Sequence, residues 1–319
     1  MKKMVKRGAF TLIEMVFVIV ILGIVGMIGS DIIAKMYQGY LKSQIVNKLQ
    51  QQTELVLDII SSRLKYRIKS SVIGRDSNST NPNYLKYKAL YDDNISSISP
   101  DMIEWYGYDN ESLRGDVNGS YSYPGWSGLV DVNSTKTYSS NGASGQIYMP
   151  GSKLTFTKKV INFLSNNKVD NVNNKAILLS KCYHDSNMSI YGWDIPTLGA
   201  NTFDNNATIK VSINGNDKLF SISDIGKRDF CEQYYLVWSA YALVPEGDNT
   251  NDFNLTLRYN YQPWNGENYK DDANSTVLAE HVSTFRAMQV GNSVRVKICI
   301  TDGNITGTPY GFCKEKAIY

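Results

Sequence analysis

The stretch FTLIEMVFVIVILGIVGMIG, residues 10–29, decides how this chain is organised. Nearly all of its residues are apolar, and Glu14 is its only charged residue. An α-helix rises about 1.5 Å per residue, so about 20 residues span the roughly 30 Å hydrocarbon core of a bilayer. The preceding residues 1–9, MKKMVKRGA, carry four cations, which favour the cytoplasmic side. We therefore expect a single membrane pass, with the chain beyond Asp31 on the opposite side.

Three kinds of segment compete as explanations of residues 10–29. A cleaved secretory signal has a shorter apolar core followed by a small-residue cleavage site, and this run is longer and has no such site. A lipoprotein signal needs a cysteine just after the apolar run, whereas the first cysteine here is Cys182. A plain anchor fits the length but leaves Glu14 unexplained, because a carboxylate inside a membrane helix costs about 2.5–3.5 kcal/mol. A residue that costly usually has a partner.

Residues 8–14, Gly-Ala-Phe-Thr-Leu-Ile-Glu, resemble the class III signal of type IV pilins and pseudopilins. The resemblance implies that a prepilin peptidase cuts between Ala9 and Phe10 on the cytoplasmic side and methylates the new amino group of Phe10. Glu14 is then the fifth residue of the mature chain, as in that family. Ala9 stands where the family usually has glycine. A cut after Gly8 would make Glu14 the sixth residue, so we favour the cut before Phe10.

This resemblance also implies a domain plan and a location. Residues 1–9 are expected to be a cleaved basic leader, and residues 10–30 a transmembrane or filament-core helix. An amphipathic helical stem is expected over residues 31–74, and a periplasmic globular head over residues 75–319. The protein would cross the inner membrane once with its N-terminus in the cytoplasm, and could later enter a pilus or pseudopilus.

The function implied by the resemblance is structural and not enzymatic. The chain would be a minor pilin or pseudopilin of a type II secretion, type IV pilus or DNA-uptake machine. Its partners would be other pilins or pseudopilins, the prepilin peptidase, an inner-membrane platform protein and an assembly ATPase. Glu14 would pair with the terminal amino group of a neighbouring subunit, because pairing makes each charge tolerable at low dielectric. The alternative role for Glu14, complementing its own helix dipole, is worth too little to offset its insertion cost.

Two other functions remain open on the sequence. A membrane-anchored periplasmic binding protein or enzyme would show a concave pocket with converging polar or titratable groups. An adhesin at the tip of a pilus would instead show an aromatic or charged patch on the surface of the head.

Helical periodicity continues beyond the apolar stretch. From Asp31 to about Ser70 there is no proline, and Gly39 is the only glycine. Apolar residues recur there at spacings of three, four or seven, at Ile45, Leu49, Val56, Ile60 and Leu64. We therefore predict one helix from Phe10 to near Ser70, roughly 90 Å long, with its second half packed on the head.

The head divides into two parts by composition. Residues 75–150 are rich in Asn, Ser, Tyr, Gly and Asp, and predict long loops with one short helix after a boundary at Gly74. Residues 151–319 are predicted to be β-rich, with a short helix at 160–164. The predicted strands are 153–157, 208–213, 218–223, 233–244, 254–262 and 293–300. The short connections favour antiparallel pairing, so the predicted fold class is α+β, with a long N-terminal helix packed on an antiparallel sheet.

Residues 276–300, TVLAEHVSTFRAMQVGNSVRVKICI, are similar to the C-terminal part of larger minor pilins and J-type pseudopilins. In those proteins a strand ending in V-x-x-F is followed by a turn and an apolar strand. The resemblance implies a minor component rather than a major pilin.

Four cysteines, Cys182, Cys231, Cys299 and Cys313, lie in the part expected to be exported, where disulfides form. They allow three connectivities. Cys299 ends a predicted strand and Cys313 follows a glycine-rich turn, so the local pairing is Cys299 with Cys313, leaving Cys182 with Cys231. Zinc is the alternative, but the chain has no C-x-x-C pair.

Nine of the ten N-x-S/T sequons have an aspartate two residues before the asparagine, and Asn110 is the exception. The acidic fraction of the chain predicts about one such match by chance. The pattern resembles the D/E-x-N-x-S/T acceptor of bacterial oligosaccharyltransferases, so we predict N-glycosylation at several exposed sites. Turn formation by Asp, Asn and Ser is the competing explanation. The nine candidates are Asn78, Asn94, Asn118, Asn133, Asn187, Asn206, Asn254, Asn274 and Asn304.

Composition narrows the remaining classes. The net charge of +3 is small and four cations precede residue 10, so direct nucleic-acid binding is not expected. The chain has no nucleotide-binding or hydrolase motif and only two histidines, so no cofactor is expected. Asp271 and Asp272, in the polar stretch 267–275, could ligate Ca²⁺, as in some pseudopilins, but EF-hand spacing is missing. An ordinary polar loop is the interpretation that the sequence favours.

Overall fold

A computed structural model describes residues 11–76, 87–98, 100–118, 121–139, 145–169, 176–182, 188–193, 207–222, 229–249, 251–303 and 310–319. Its α-helices are α1 (Leu12–Leu64), α2 (Asn110–Leu113) and α3 (Leu154–Leu164). The strands are β1 (Ile73–Arg75), β2 (Tyr87–Ala89), β3 (Met102–Gly107), β4 (Asp116–Asn118), β5 (Tyr121–Tyr123), β6 (Gly145–Tyr148), β7 (Ala176–Ser180), β8 (Thr208–Ile213), β9 (Leu219–Ile222), β10 (Tyr234–Val237), β11 (Ser239–Asn249), β12 (Asp252–Tyr261), β13 (Asn274–Val290), β14 (Ser293–Thr301) and β15 (Gly311–Ile318).

The predicted α+β class is confirmed, and so is the long N-terminal helix lying on an antiparallel sheet. The large sheet has eight strands in the order β15-β14-β13-β12-β11-β3-β1-β2. A second, small sheet has five strands in the order β10-β7-β8-β9-β6. Both are antiparallel throughout, and β4 pairs with β5 as a separate hairpin.

The elements form four layers, in the order α1, large sheet, small sheet, α3. Strand β11 shows the alternation that produces this order: Leu243 faces α1, while Ala242 and Val244 face the small sheet. Strand β7 repeats it, with Leu179 toward the large sheet and Leu178 toward α3. Successive side chains of a strand point to opposite faces, so β7 and β11 contribute to the layers on both of their sides. Strands β14 and β15 instead alternate between more buried and more exposed residues.

Helix α1 ends earlier than predicted, at Leu64 rather than near Ser70. The following residues leave the helix because their backbone pairs with the large sheet. The Ile68 amide donates to the Tyr106 carbonyl at 2.8 Å, and the Tyr108 amide donates to the Tyr66 carbonyl at 3.0 Å. The predicted apolar stripe is confirmed: the α1 residues buried against the head are Leu49, Thr53, Val56, Leu57, Ile60 and Leu64.

Arg67 fixes the point where the helix gives way to the sheet. Its guanidinium is buried and donates to the carbonyls of Leu64 at 2.7 Å, Asn292 at 2.9 Å and Ile318 at 3.0 Å. Burial lowers the pKa of Arg67. One side chain therefore connects the C-terminus of α1, the turn between β13 and β14, and the end of β15.

Several strand predictions agree with the structure and others are wrong. Predicted strands 208–213, 218–223, 254–262 and 293–300 correspond to β8, β9, β12 and β14. Residues 233–244 are not one strand, because the chain passes from β10 in the small sheet to β11 in the large one. The C-terminal resemblance predicts a strand that ends in V-x-x-F. Strand β13 instead continues past Val282 and Phe285 to Val290.

The predicted strand 153–157 is wrong, because these residues begin α3, which also contains the helix predicted at 160–164. Leu154, Thr157 and Ile161 form the buried face of α3 at helical spacing. Its first turn is held by Asp217, whose carboxylate accepts from the Thr155 amide at 3.1 Å. That partner is far along the chain, so no local pattern indicates the start of this helix.

Residues 75–150 contain strands as well as loops, including β2, β3 and β6. Gly74 lies inside β1, where a Cβ would come within 2.9 Å of Ile95 and Pro100. Glycine is needed there because neighbouring groups approach closely. Strand β3 lies within the large sheet and is buried along its whole length. Its Glu104 carboxylate forms an ion pair with the Arg75 guanidinium at 2.6 Å.

We predict that Arg67→Met destabilises the head, since the apolar stem stays while three carbonyls lose a charged donor. The expected loss is about 3 kcal/mol of unfolding free energy. Urea unfolding of the full chain in detergent, followed by tryptophan fluorescence, measures it. Arg295→Met is the matched control, because the Arg295 guanidinium is half exposed and should change stability by less than about 1 kcal/mol. Equal losses for both variants would contradict this role of Arg67.

Candidate functional site

The N-terminal half of α1 projects from the head. Contact with the head begins at Lys42, whose ammonium lies 5.4 Å from the centre of the Tyr310 ring, and apolar packing begins at Ile45. Residues 12–41 therefore extend about 45 Å beyond the head. We call residues 12–30 the apolar rod. Its large apolar side chains are all exposed, from 48% at Val18 to 85% at Leu12. The helix is long and apolar enough to cross a membrane.

An apolar rod of this size requires a covering. Soluble monomers rarely expose a contiguous apolar patch of more than a few hundred Å². Covering the large apolar side chains of the rod would be favourable by on the order of 20 kcal/mol. Either the bilayer or other apolar helices can supply that covering, and the head supplies none.

Glu14 lies in the first turn of α1 and is exposed. Its amide donates to the Thr11 carbonyl at 3.1 Å, so the backbone is already helical there. The predicted cleavage and methylation positions, Ala9 and Phe10, lie outside the described residues. The structure therefore places the carboxylate at the end of the rod.

The rod passes into a polar segment before it reaches the head. Asp31 and Lys35 form an ion pair of 2.7 Å one turn apart, and Tyr37 and Tyr40 are exposed. Tyrosine and lysine after an apolar span are typical of the interface between lipid and water. Along α1, the apolar rod is thus followed by the polar segment and then by the stem that packs on the head.

Exposed ion pairs align the stem with the edge of the large sheet. Lys314 pairs with Glu54 at 2.9 Å and Lys316 pairs with Asp58 at 2.6 Å, so α1 and β15 run in the same direction. The Lys316 ammonium lowers the pKa of Asp58. The rod therefore leaves the head at the end where β15 begins.

The four cysteines form two pairs at disulfide distance. Cys299 and Cys313 lie opposite each other on β14 and β15, with their Cα atoms 4.0 Å apart. Cys182, after β7, lies against Cys231, before β10, at a Cα separation of 6.1 Å. These are the pairs expected from sequence, and they leave no free thiol to bind zinc.

Sequon exposure can be read at four of the candidate asparagines. Asn94, Asn133, Asn254 and Asn274 are all exposed, although the last two lie on strands β12 and β13 rather than in loops. Asn118 is the last residue of β4. The predictions at Asn78, Asn187, Asn206 and Asn304 fall outside the described residues.

The aspartates of the sequons divide into two groups. Asp92 and Asp131 accept hydrogen bonds from the amides of Asn94 and Asn133, at 2.8 and 3.2 Å, as in an Asx turn. Turn formation therefore explains the fixed offset at these two sites. Asp252 instead contacts His281, so turn formation does not explain the offset there.

The proposed calcium ligands are engaged within their own loop. Asn268 donates its side-chain amide to Asp271 at 3.0 Å and its backbone amide to Asp272 at 2.9 Å. The Lys168 ammonium lies against the same loop. It donates to the Asp272 carbonyl at 2.8 Å and forms an ion pair with the Glu267 carboxylate at 3.0 Å. Among the described residues, no group of three or more His, Cys, Asp or Glu side chains could hold a metal ion.

A groove of about 640 Å³ lies where α1 enters the head. One wall is α1 from Ile45 to Val56, and the other is the stretch Val277–His281 of β13 with the end of β14. Apolar side chains dominate the lining, with Lys48 and His281 among the polar residues. No sequence pattern indicates this groove, because its two walls are more than 200 residues apart in the chain.

Among the described residues of the head, the carboxyl group with the largest pKa shift, that of Asp109, is structural. Asp109 is buried and accepts from the Ser112 amide at 3.1 Å, which caps α2. Its own amide donates to Leu236 of β10, and its carbonyl accepts from the Trp126 indole. Burial raises the pKa of Asp109 to about 6. The group joins β3, α2 and the small sheet, and it borders no described groove.

No family model, no curated protein and no solved structure matches this chain. Its function must therefore be inferred from its own residues.

We predict that Asp109 makes stability fall as pH rises from about 4 to about 6. In that window the folded protein keeps a proton that the unfolded chain has lost, so the stabilisation is complete below the unfolded pKa and is lost above the folded one. Two pKa units correspond to about 3 kcal/mol. Asp109→Asn keeps the cap acceptor and should remove this part of the pH dependence.

Urea unfolding of both proteins at a series of pH values measures the difference. Asp131→Asn is the control, because Asp131 also accepts from a backbone amide but is exposed. Parallel pH profiles for the wild type and Asp109→Asn would contradict the assignment.

Proposed function

We propose that the chain is a minor pilin or pseudopilin, a structural subunit of a secretion, pilus or DNA-uptake filament. The observation that carries this proposal is a single unbroken helix whose outer half is an exposed apolar rod and whose inner half packs on a β-rich head. The basic leader and the sequence Phe10–Glu14 give the rod the features of a class III signal. Two disulfide-distance pairs suit an oxidising compartment.

The assembly route follows from the physical properties of the rod. In the bilayer the rod is covered by lipid, and in a filament it is covered by the rods of neighbouring subunits. Moving the rod from the bilayer into the filament exchanges one apolar covering for another. The fit between neighbouring rods and the pairing of Glu14 therefore decide whether the subunit enters the filament. Extraction would need the platform protein and the ATPase, because the head alone offers no source of energy.

A specific observation also favours the adhesin alternative. Tyr66, Tyr108 and Tyr235 form a row with ring centroids 5.7 and 5.4 Å apart, flanked by Lys65 and Lys181. The row begins just after α1 ends, and so lies at the opposite end of that helix from the rod. Its rings are half buried: Tyr66 and Tyr108 meet edge to face, and Tyr108 stacks on Tyr235.

N-glycosylation is the second part of the proposal. It is supported by the exposure of Asn94, Asn133, Asn254 and Asn274 and by the aspartate offset that turns do not explain at Asn254. An oligosaccharyltransferase on the periplasmic side would be the partner. The added glycans would lie on the head and leave the rod free.

We predict that mass spectrometry of the protein purified from membranes of its native host finds N-methyl-Phe10 as the first residue. The same spectrum should show masses above that of the bare polypeptide, with glycopeptides at the exposed sequons. Retention of Met1 in a host with an active prepilin peptidase would refute the filament proposal, and a bare polypeptide mass would refute only the glycosylation.

We predict that Glu14→Ala leaves insertion and processing intact but reduces incorporation into the sheared filament fraction by at least about tenfold. The reason is that the terminal amino group of a neighbour loses its only partner in an apolar environment. Asp31→Ala is the control, since Asp31 is an exposed carboxylate on the same helix that already has a partner in Lys35. Normal incorporation of Glu14→Ala would remove the pairing argument and favour a plain anchor.

A further inference from the structure

The groove beside α1 has apolar residues at its mouth as well as on its floor. Leu49, Val56 and Ala279 form buried parts of the lining. Leu55 on α1 is 62% exposed and Val277 on β13 is 49% exposed, and both line the same groove. Large apolar side chains exposed on two elements around one concavity indicate an interaction surface.

The helical wall of the groove continues the surface of the rod. Leu41, Ile45, Lys48, Gln52 and Leu55 follow one another at spacings of four, three, four and three, which places them along one side of α1. The last four of these line the groove, and Leu41 continues the line toward the rod. The groove is therefore continuous with the apolar surface that the rod exposes.

The length of the groove allows a helix to lie along it. Its α1 wall from Ile45 to Val56 is about 17 Å long, and an α-helix with side chains is about 10 Å across. Residues 15–30 of the rod contain no charged residue and are about 24 Å long. Gly23, Gly26 and Gly29 lie in this stretch with open space around them, which lets another element approach the rod closely.

We propose that the groove receives the apolar rod of a second copy of this chain, through residues 15–30. This proposal rests on the proposed filament function and names the contact by which one head binds its neighbour. Docking covers Leu55 and Val277 on the head together with one side of the incoming rod. A charge-free helix is the fitting occupant, because Leu49, Val56 and Ala279 in the buried lining are apolar. The buried charged residue of the lining, Asp302, already accepts a hydrogen bond from the Tyr310 amide at 3.1 Å.

The test is cross-linking between differently tagged copies in the same membranes. One copy carries Val277→Cys, and the other carries a cysteine at one of the four consecutive rod positions 18–21, which together cover the circumference of the helix. The native cysteines are all paired, so the new thiols do not compete with them. A disulfide-linked heterodimer is expected for at least one rod position, with a clear preference for that side of the helix.

Val290→Cys is the matched control, because Val290 is the same residue type on the same strand with the same 49% exposure, away from the groove. Its heterodimer yield should be at least about tenfold lower. Equal yields for positions 277 and 290 would overturn the proposal. Cross-linking of Val277→Cys to a different protein would also overturn it.

A second variant separates this contact from filament function. Val277→Asp should reduce incorporation into the sheared fraction at least about fivefold relative to Val290→Asp, while the amount in membranes stays equal. If Val277→Asp assembles normally and Glu14→Ala does not, the rod-to-groove contact is wrong and the filament proposal stands. If the chain with wild-type residues enters no filament, both fail together.

Discussion

The whole molecule depends on one constraint, that α1 continues without interruption from a segment that cannot stay in water into a segment that forms the core of the head. A helix of this length transmits position along its axis, because its backbone is hydrogen-bonded throughout. The head therefore cannot change its orientation relative to the rod without bending α1. No proline interrupts the helix, and Gly39 is the only glycine between the rod and the head. Rod, polar segment and head are thus arranged along a single axis.

The head keeps this arrangement by fixing the inner half of α1 at several points. Leu49, Val56, Ile60 and Leu64 bury one face against the large sheet, and Arg67 holds the end of the helix to two distant parts of the chain. The cross-strand cysteine pair joins β14 to β15, the strand whose lysines contact the acidic residues of α1. These contacts place the edge of the large sheet beside the helix, and that placement creates the groove.

The second sheet shows how a large head can be attached to a simple rod-and-sheet plan. It packs on the face of the large sheet opposite α1, so it leaves the helix and the groove uncovered. Polar contacts connect the layers. The Asp109 amide, after β3 of the large sheet, donates to the Leu236 carbonyl of the small sheet. Lys168, after α3, donates to the Asn260 carbonyl on β12 and to the Asp272 carbonyl before β13. Burial makes such links favour one packing arrangement of the layers, because a buried polar group without a partner costs free energy.

The sequence by itself determined the features that depend on local composition and period. These are the rod, which follows from an uninterrupted apolar run, the buried stripe from Leu49 to Leu64, which follows from helical spacing, and the β-rich C-terminal half. Tertiary structure alone decided the rest. Residues 153–157 are a helix because Asp217 holds their amides, and β3 is a buried strand because Arg75 pairs with its Glu104. Likewise the groove exists only because residues near 50 and near 280 meet in space, and no periodicity within either segment encodes that meeting.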